Sequence, residues 1–338
     1  MGERPSKIAV IGGGSWGTAL AVHCARLEIP VSLWVFEEDL ARRMARTREN
    51  DVFLPGIMLP SGIIPTASLE ECLAGAQMVL SVVPSHVIRE VWDKARFFLP
   101  VDAIIVNATK GIEEGTYLTA NGVLADTLGQ EVLKRKVTLS GPTFAREVSM
   151  GLPAAAVIAG MDSRHNTVVQ EVLAAETFRL YTNMDPIGVE IAGALKNVMA
   201  ISVGMCDGLQ LGLNARAALI TRGLAEITRL GVALGAEPLT FQGLAGVGDL
   251  VLTCTGDLSR NRTLGLRLGR GESLDEIIGS SPMIAEGVRT TRSARGLAAR
   301  TGVEMPIARE VFMVLYEGKD ARSALKSLLS RSLKEEGS

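Results

Sequence analysis

The stretch KIAVIGGGSWG, residues 7–17, joins a short apolar run to a glycine-rich turn. Its glycines Gly12, Gly14 and Gly17 have the G-x-G-x-x-G spacing that connects the first strand and first helix of dinucleotide-binding folds. In such folds the first glycine permits a tight turn, the second lets a pyrophosphate approach the backbone, and the third lets the helix pack on the strand. The helix N-terminus then offers free N–H groups to the anion. The sequence therefore predicts a dinucleotide site here.

Outward from this motif, the first half of the chain alternates short apolar runs with longer amphipathic ones. Continuous runs of Val, Ile, Leu and Ala are typical of strands that are buried on both faces of a sheet. Their alternation with helices predicts a parallel, doubly wound sheet of Rossmann type. The predicted strands are Lys7–Ile11, Val31–Val35, Met78–Val83, Ala103–Asn107, Val137–Ser140 and Ala154–Ala159.

The pattern changes near Gly188, after which long helical segments follow with little strand signal. Asp185 and Pro186 fit the N-cap and first turn of a new helix. We therefore predict an α/β protein with an N-terminal Rossmann-like, dinucleotide-binding domain and an all-α C-terminal domain that binds substrate. The predicted domains are residues 1–187 and 188–338.

Composition excludes several classes of protein. Lys and Arg total 35 against 37 Asp and Glu, which gives no electrostatic surface for nucleic acid. The four cysteines form no CxxC pair and the three histidines have no ligand spacing, so we expect no metal and reduced thiols in a cytoplasmic protein. We also expect no signal peptide. The apolar stretch Val189–Leu213 carries three charged residues, which predicts a core helix and no integral membrane segment.

The residues after the second predicted strand bear on which dinucleotide binds. Glu37 follows Gly17 by 20 residues, where an acidic residue accepts hydrogen bonds from the ribose hydroxyls of NAD. Phe36 beside it offers no charge to the 2′-phosphate of NADP. We therefore expect NAD or NADP as cofactor, with NAD preferred. The arginines of Arg42–Arg46 leave an alternative open, because one of them can turn toward a 2′-phosphate; a solvated helix face is the other interpretation.

Three further places suggest contacts to a substrate, the first of them because ligands of open α/β sheets bind beyond the carboxyl ends of strands. Lys110 follows the fourth predicted strand, and it is either a substrate contact or an ordinary loop lysine. Lys196 lies in an apolar helix, where an unpaired ammonium is costly, so it faces either a ligand or the surface. Ser259 is a predicted N-cap, and Arg260 and Asn261 after it favour an anion; a capped surface helix is the alternative.

Eight blocks, taken together, resemble the bacterial NAD(P)-dependent glycerol-3-phosphate dehydrogenases, over about Lys7 to about Tyr316. The resemblance implies an oxidoreductase that interconverts dihydroxyacetone phosphate and sn-glycerol 3-phosphate, a phosphorylated small molecule used in phospholipid synthesis. It also implies a homodimer. The blocks are GGGSWGTALA (Gly12–Ala21), VPS (Val83–Ser85), ATKGIE (Ala108–Glu113), LSGPTFA (Leu139–Ala145), EIAGALKN (Glu190–Asn197), GLAGVGDLVLTCT (Gly243–Thr255), SRNR (Ser259–Arg262) and AEG (Ala285–Gly287).

The same resemblance implies roles for single residues. Lys196 matches the catalytic lysine, and Thr143 replaces a frequent serine but keeps the hydroxyl. Phe36 stands where the family often has a basic residue, which argues against NADP. The implied substrate contacts are Lys110, Gly141, Thr143, Lys196, Asp249, Ser259, Arg260 and Asn261. The resemblance also implies cofactor contacts at Ser15, Trp16, Lys110, Ala145, Arg260, Ile284 and Glu286. Together with the motif glycines and the two residues after the second strand, which are Gly12, Gly14, Gly17, Phe36 and Glu37, these are the predicted cofactor contacts.

A catalytic role requires the pKa of Lys196 to lie nearer neutrality, because the lysine donates a proton in reduction and accepts one in oxidation. Partial burial and a second cation such as Lys110 both lower that pKa. Two other functions stay open: a two-domain hydroxy-acid dehydrogenase, which needs a carboxylate site, and a non-catalytic, dinucleotide-sensing regulator, which needs no lysine at the nicotinamide. NADH oxidation with and without dihydroxyacetone phosphate separates the three.

Overall fold

The N-terminal part of the protein is an eight-stranded sheet covered by helices. The computed structural model describes residues 5–280, 285–332 and 335. The strands are ordered β3-β2-β1-β4-β5-β6-β7-β8, so the chain reverses its direction of winding between β1 and β4. They are β1 Ile8–Ile11, β2 Val31–Trp34, β3 Ile63–Thr66, β4 Met78–Ser81, β5 Ile104–Asn107, β6 Lys136–Ser140, β7 Ala154–Ala159 and β8 Phe178–Asn183.

Helices alternate with the strands up to β8 and make up the regular structure described after it. Short 3₁₀ or π segments cover Gln130–Arg135, Pro238–Gln242 and Leu244–Gly248. The α-helices are α1 Ser15–Arg26, α2 Glu38–Thr47, α3 Leu69–Leu73, α4 Ile88–Ala95, α5 Ala120–Leu128, α6 Ala145–Met150, α7 Ser163–Leu173, α8 Pro186–Gly208, α9 Gly212–Ala233, α10 Asp249–Thr255, α11 Arg260–Gly269, α12 Leu274–Gly279, α13 Glu286–Thr301, α14 Pro306–Tyr316 and α15 Ala321–Leu329.

Both faces of the sheet are buried, which confirms the doubly wound prediction. In β1, Ile8 and Val10 pack into a cluster that includes side chains of α1 and α2, and Ala9 and Ile11 pack into a second cluster with α3, α4 and α5. Successive side chains of a strand point to opposite faces. Burial on both faces therefore explains why the central strands are continuously apolar.

One strand pair departs from the predicted parallel arrangement. β6 and β7 pair antiparallel, with Leu139 opposite Ile158. The helix between them, α6, has six residues and spans only about 9 Å. It packs against α1 and is too short to return the chain to the other end of the sheet, so the chain turns back on itself.

The two edge strands, β3 and β8, were missed by the prediction. β3 contains Pro65 and the exposed Ile64, and proline is tolerated only at sheet edges because it lacks an N–H. β8 alternates buried and exposed residues at its start. Neither has the continuous apolar run that marks a strand with two neighbours.

Helix α8 lies at the centre of the C-terminal part, where it packs against α9, α10, α11, α13 and α14. It begins as predicted, with Pro186 in the first turn and Asp185 accepting a hydrogen bond from Gly188 N (2.8 Å). Among the described residues it alone is long and apolar enough to cross a membrane, but its apolar window is wholly buried inside the protein. The predicted core helix is thus confirmed, and the proposed division between residues 187 and 188 falls in its first turn.

Helices α8 and α11 approach each other closely through glycines. A Cβ atom on Gly204 or on Gly265 would lie 2.1 Å from a carbonyl oxygen of the facing helix, and one on Gly208 or Gly269 would lie 2.3 Å or 2.4 Å from such an oxygen. Each helix therefore carries two glycines four residues apart on its contact face. Side chains at these positions would force the helix axes apart.

Candidate active site

The glycine-rich turn between β1 and α1 has the geometry that the motif predicts. Gly12 has a φ of +124°, and a Cβ atom on it would lie 2.6 Å from the carbonyl oxygen of Val82. A Cβ atom on Gly17 would lie 1.8 Å from the carbonyl oxygen of Gly12. Around Gly14, in contrast, a Cβ atom would meet no atom within 4 Å. The turn therefore leaves open space at the glycine where a pyrophosphate approaches the backbone.

Hydrogen-bond donors next to this turn are without partners. No side chain caps the N-terminus of α1, so its first N–H groups are available to an anion. The indole Nε1 of Trp16 is buried and has no hydrogen-bond partner. These donors suit a pyrophosphate, so the residues present fit the predicted dinucleotide.

The loop after α2 is fastened onto the glycine-rich turn. Asn50 is fully buried, and its Nδ2 donates to the carbonyl oxygen of Gly13 (2.7 Å) and to Thr18 Oγ1 (2.8 Å). Ser15 Oγ donates to the carbonyl oxygen of Phe53 (2.6 Å). The sequence gives no signal for this role of Asn50, because its partners lie 37 and 32 residues away in the chain. A second segment thus holds the turn in place.

Phe36 and Glu37 lie between β2 and α2, beyond the carboxyl end of the strand. Phe36 is 72% exposed and packs edge-to-face on Trp34, with ring centroids 6.2 Å apart. Glu37 is also exposed and precedes α2 without capping it through its side chain. Both residues therefore stand at the sheet edge where the adenosine end of a dinucleotide binds in this fold.

Two lysines and one aspartate meet between the sheet and the helical part. Lys196 Nζ donates to Asp249 Oδ1 (2.7 Å), and Lys110 Nζ donates to Asp249 Oδ2 (2.8 Å). Lys110 comes from the loop after β5, Lys196 from the middle of α8 and Asp249 from the start of α10. One carboxylate thus bridges two ammonium groups, and neither lysine is an ordinary surface side chain.

The environment of Lys196 lowers its pKa. Its side chain is 8% exposed and that of Asp249 1%. Burial, with a contribution from the Lys110 ammonium, lowers the pKa of Lys196 to about 8, against the opposing effect of Asp249. Thr253 Oγ1 lies 2.6 Å from Lys196 Nζ, a contact that the sequence analysis missed although Thr253 follows Asp249 by one helical turn. The lysine can therefore exchange a proton near neutral pH.

Small residues at the end of β6 line the same place. Lys110 Nζ lies 3.4 Å from the carbonyl oxygen of Gly141, to which Thr143 Oγ1 also donates (3.2 Å). Gly141 has a φ of +146°, and a Cβ atom on it would lie 2.8 Å from the Cα atom of Ala156. Ala145 begins α6 immediately after this turn. Only glycine fits the turn, and its carbonyl oxygen is shared by Thr143 and Lys110.

The N-terminus of α11 is capped as predicted. Ser259 Oγ accepts a hydrogen bond from Arg262 N (3.2 Å). The Arg262 guanidinium pairs with Asp207 (2.8 Å), so this second arginine of the SRNR block joins α11 to α8. Arg260, at the first helical position, is exposed. The helix dipole and this arginine both favour an anion at the same point.

Asn261 connects three helices by its side-chain amide. Its Nδ2 donates to Asn197 Oδ1 (3.0 Å), and its Oδ1 accepts from Gly287 N (2.9 Å). Gly287 belongs to the first turn of α13, which begins at Glu286. Ile284 lies outside the described residues. The amide of Asn261 therefore holds the start of α13 beside Asn197, the residue that follows Lys196.

Glu286 shares the electrostatic environment of the lysines. Burial raises the pKa of its carboxyl group, and the positive charges of Arg260, Lys110 and Lys196 oppose that rise. The predicted site residues of α8, α11 and α13 thus come together with Lys110, from the loop after β5, in one cationic region. It lies beyond the carboxyl end of β5, on the edge of the parallel strands that also carries the glycine-rich turn.

Comparison with known proteins agrees with this geometry. Models of the NAD-dependent glycerol-3-phosphate dehydrogenase N-terminus and C-terminus match residues 7–166 and 185–326. Proteins named glycerol-3-phosphate dehydrogenase (NAD(P)+) from Geobacter sp. (strain M21) and Syntrophobacter fumaroxidans are 52% and 50% identical, covering 98% and 97% of this chain and 99% and 97% of their own. The crystal structure of the glycerol-3-phosphate dehydrogenase of Coxiella burnetii has a TM-score of 0.92 at 40% identity, over 96% of this chain and 99% of that one.

Proposed function

Because this chain belongs to the NAD-dependent glycerol-3-phosphate dehydrogenase family, we propose that it reduces dihydroxyacetone phosphate reversibly to sn-glycerol 3-phosphate with NAD(P)H. The observation that carries the proposal is the pair of lysines joined by Asp249. A ketone that is reduced develops negative charge on oxygen, and a buried cationic acid both stabilises that charge and supplies a proton.

Lys196 is the proton donor in this mechanism. When bound, NAD(P)H supplies the hydride that adds to the carbonyl carbon. As the C=O bond becomes a C–O single bond, the oxygen takes a proton from Lys196 Nζ, which is then restored from solvent. In the reverse direction the neutral amine accepts the hydroxyl proton. The pKa of about 8 suits both directions, because each form of the lysine is populated near neutral pH.

Asp249 and Lys110 orient the reacting group. Asp249 holds both ammonium groups through its two oxygens, and Lys110 binds the substrate from the sheet side. Lys110 also keeps the pKa of Lys196 low through charge repulsion. Thr143, whose hydroxyl lies at the Gly141 turn, binds a substrate hydroxyl in this proposal.

The phosphate of the substrate binds at the N-terminus of α11. Arg260 and the first N–H groups of the helix supply charge and directed donors there. Ser259 caps the helix, and Asn261 ties it to α8 and α13. Anchoring the phosphate away from the reacting carbon uses remote binding energy to orient the carbonyl.

NAD is the preferred cofactor in this proposal. Phe36 and Glu37 leave the ribose site without a cation and with a carboxylate, which suits free hydroxyls and repels a 2′-phosphate. Two of the neighbouring arginines are engaged elsewhere: Arg42 pairs with Glu38, and Arg43 pairs with Asp51 (3.0 Å). These pairs support the preference for NAD.

The reaction gives the protein a place in lipid metabolism. Glycerol 3-phosphate is the backbone on which phospholipids are made, so the enzyme supplies that pathway. We infer a cytoplasmic location, and a homodimer on the basis of family membership alone.

The direct test measures NADH consumption with and without dihydroxyacetone phosphate. We expect substrate-dependent oxidation of NADH, none with unphosphorylated dihydroxyacetone at the same concentration, and none with keto acids. Oxidation with a keto acid instead would favour a hydroxy-acid dehydrogenase. NADH binding without turnover of any of these compounds would favour a dinucleotide-sensing regulator.

A further inference from the structure

Helix α8 carries a buried carboxylate that the mechanism above does not use. Glu190 is 8% exposed. Its Oε1 accepts hydrogen bonds from Asn107 Nδ2 (3.1 Å) and Asn121 N (2.8 Å), and its Oε2 accepts one from Thr119 Oγ1 (2.9 Å). A single side chain thus receives three donors from outside its own helix.

These donors belong to the sheet side of the molecule. Asn107 is the last residue of β5, and Thr119 and Asn121 form the capped N-terminus of α5. Asn107 is itself fully buried and donates also to Asn121 Oδ1 (3.1 Å). We call Glu190, Asn107, Thr119 and Asn121 the Glu190 clamp. It joins α8 to the carboxyl end of β5.

The clamp stands next to both lysines in the chain. Lys110 comes three residues after Asn107, and Lys196 comes six residues after Glu190 on the same helix, which is a distance of about 9 Å along the axis. A shift of α8 against β5 would therefore move Lys196 relative to Lys110. Both lysines donate to the same carboxylate, Asp249. Such a shift would therefore break the hydrogen bond from at least one of them.

The charge of Glu190 has a buried counterpart. Lys136 on β6 is 5% exposed and donates to the carbonyl oxygen of Asn121 (3.0 Å). Burial lowers the pKa of Lys136 to about 8, against the opposing effect of Glu190. Burial likewise raises the pKa of Glu190, against the opposing effect of Lys136. Lys136 can release its proton and still donate to Asn121, so it tolerates a neutral residue in place of Glu190.

We infer that Glu190 is a positioning residue of the dehydrogenase reaction. Through the Glu190 clamp it fixes the position of α8 relative to the end of β5, and in this position Lys196 and Lys110 both reach Asp249. This inference rests on the proposed function. Glu190 acts on the transfer step through Lys196 and leaves the glycine-rich turn, where the cofactor pyrophosphate binds, unchanged.

The test compares Glu190→Ala and Glu190→Gln with the unmodified protein. Glutamine keeps the length of the side chain; its oxygen accepts from Asn107 and Asn121, and its NH₂ donates to Thr119. Alanine removes all three contacts. We expect Glu190→Ala to lower kcat by about tenfold to a hundredfold, the scale of a misplaced catalytic group, with the Kd of NADH unchanged and most of kcat recovered in Glu190→Gln.

Glu226→Ala is the matched control. Glu226 on α9 is 2% exposed and accepts hydrogen bonds from the backbone N–H groups of Ile307 (2.8 Å) and Ala308 (3.3 Å) at the start of α14. It is thus a second buried carboxylate at a helix N-terminus, with no contact to the lysines. We expect Glu226→Ala to lower the melting temperature as much as Glu190→Ala does, and to leave kcat unchanged.

Equal kcat values in Glu190→Ala and Glu226→Ala would overturn the inference, as would a kcat in Glu190→Gln as low as in Glu190→Ala. If Glu190→Ala does not fold, Asn107→Ala removes one of the three hydrogen bonds to Glu190, together with those to Asn121 Oδ1 and from Thr109 N, and must lower kcat in the same way. Hydrogen exchange gives a readout without turnover: amides of 107–111 and 190–197 exchange faster together in the clamp variants and not in Glu226→Ala. Inactivity of the unmodified protein would refute the proposed function instead. In that case the clamp is tested by exchange alone, and unchanged exchange at those amides in the clamp variants would refute it.

Discussion

The two halves of the proposed site are built from different parts of the polypeptide. The cofactor end is made mainly of backbone: Gly12 and Gly17 allow close contacts that a Cβ atom would block, and the space around Gly14 stays open. The substrate end is made of side chains, with Lys110, Lys196 and Asp249 joined over 53 and 139 residues of sequence. The shape of the cofactor end is set by residues 12–17, with Asn50 holding the turn from outside, whereas the substrate end depends on how several helices and strands are placed. Substitutions should therefore separate the two ends.

Lys196→Met is expected to give the largest difference between the effect on turnover and the effect on NADH binding. Loss of the proton donor lowers kcat by about a hundredfold or more, while NADH still binds because its phosphates lie at α1. Stopped-flow NADH oxidation and a fluorescence titration of NADH measure the two effects. Lys94→Met, which removes an exposed lysine of α4, is the control. Hydride transfer at the unmodified rate in Lys196→Met would remove this lysine from the mechanism.

Arg260→Ala tests the phosphate end of the side-chain site. Loss of a charge-assisted contact costs about 2–3 kcal/mol, so KM for dihydroxyacetone phosphate rises by roughly thirtyfold or more while NADH binding changes little. Steady-state kinetics with both substrates measure this, with Arg270→Ala, at the far end of α11, as control. If the variant still discriminates fully against unphosphorylated dihydroxyacetone, the anchor lies elsewhere.

Cofactor preference tests the cofactor end of the site, where the side chains of Phe36 and Glu37 lie beside the glycine-rich turn. We expect kcat/KM to favour NADH over NADPH by at least about tenfold, since no cation meets the 2′-phosphate. The double substitution Phe36→Arg and Glu37→Ser moves the preference toward NADPH and leaves KM for dihydroxyacetone phosphate unchanged. Equal kcat/KM values for the two cofactors in the unmodified protein would contradict the proposal and point to Arg46, the remaining arginine of α2.

The smallest effect is a dependence on pH. Oxidation of glycerol 3-phosphate needs neutral Lys196, and reduction needs the protonated form. With a pKa of about 8, the oxidation rate rises through pH 8 and then levels, and the reduction rate falls over the same interval, by up to about tenfold between pH 7 and 9. Rates in both directions across this range check the sign. A profile in which the two directions move together would mean that another group titrates.

The same contrast explains how far the sequence predicts the structure. The glycine-rich turn is local, so its spacing predicts its geometry. The central strands are predicted because burial on both faces leaves a continuous apolar run, while β3, with Pro65, and the alternating β8 carry no such run. Asn50, Glu190 and Thr253 were not selected, because their roles arise from contacts across 32 to 83 residues, which no spacing in the chain encodes.

The central position of α8 has a consequence for the synthesis of the chain. The helix ends at Gly208, but α13, one of its covering helices, begins only at Glu286. At about 5–20 residues per second, a ribosome adds the intervening residues in roughly 4–16 s. Until then, of the helices that pack on α8, only α9, α10 and α11 can cover it, so the face that α13 buries stays open while the strands before it can already pair. The nascent chain thus carries an apolar helix with part of its buried surface still uncovered while its first half folds.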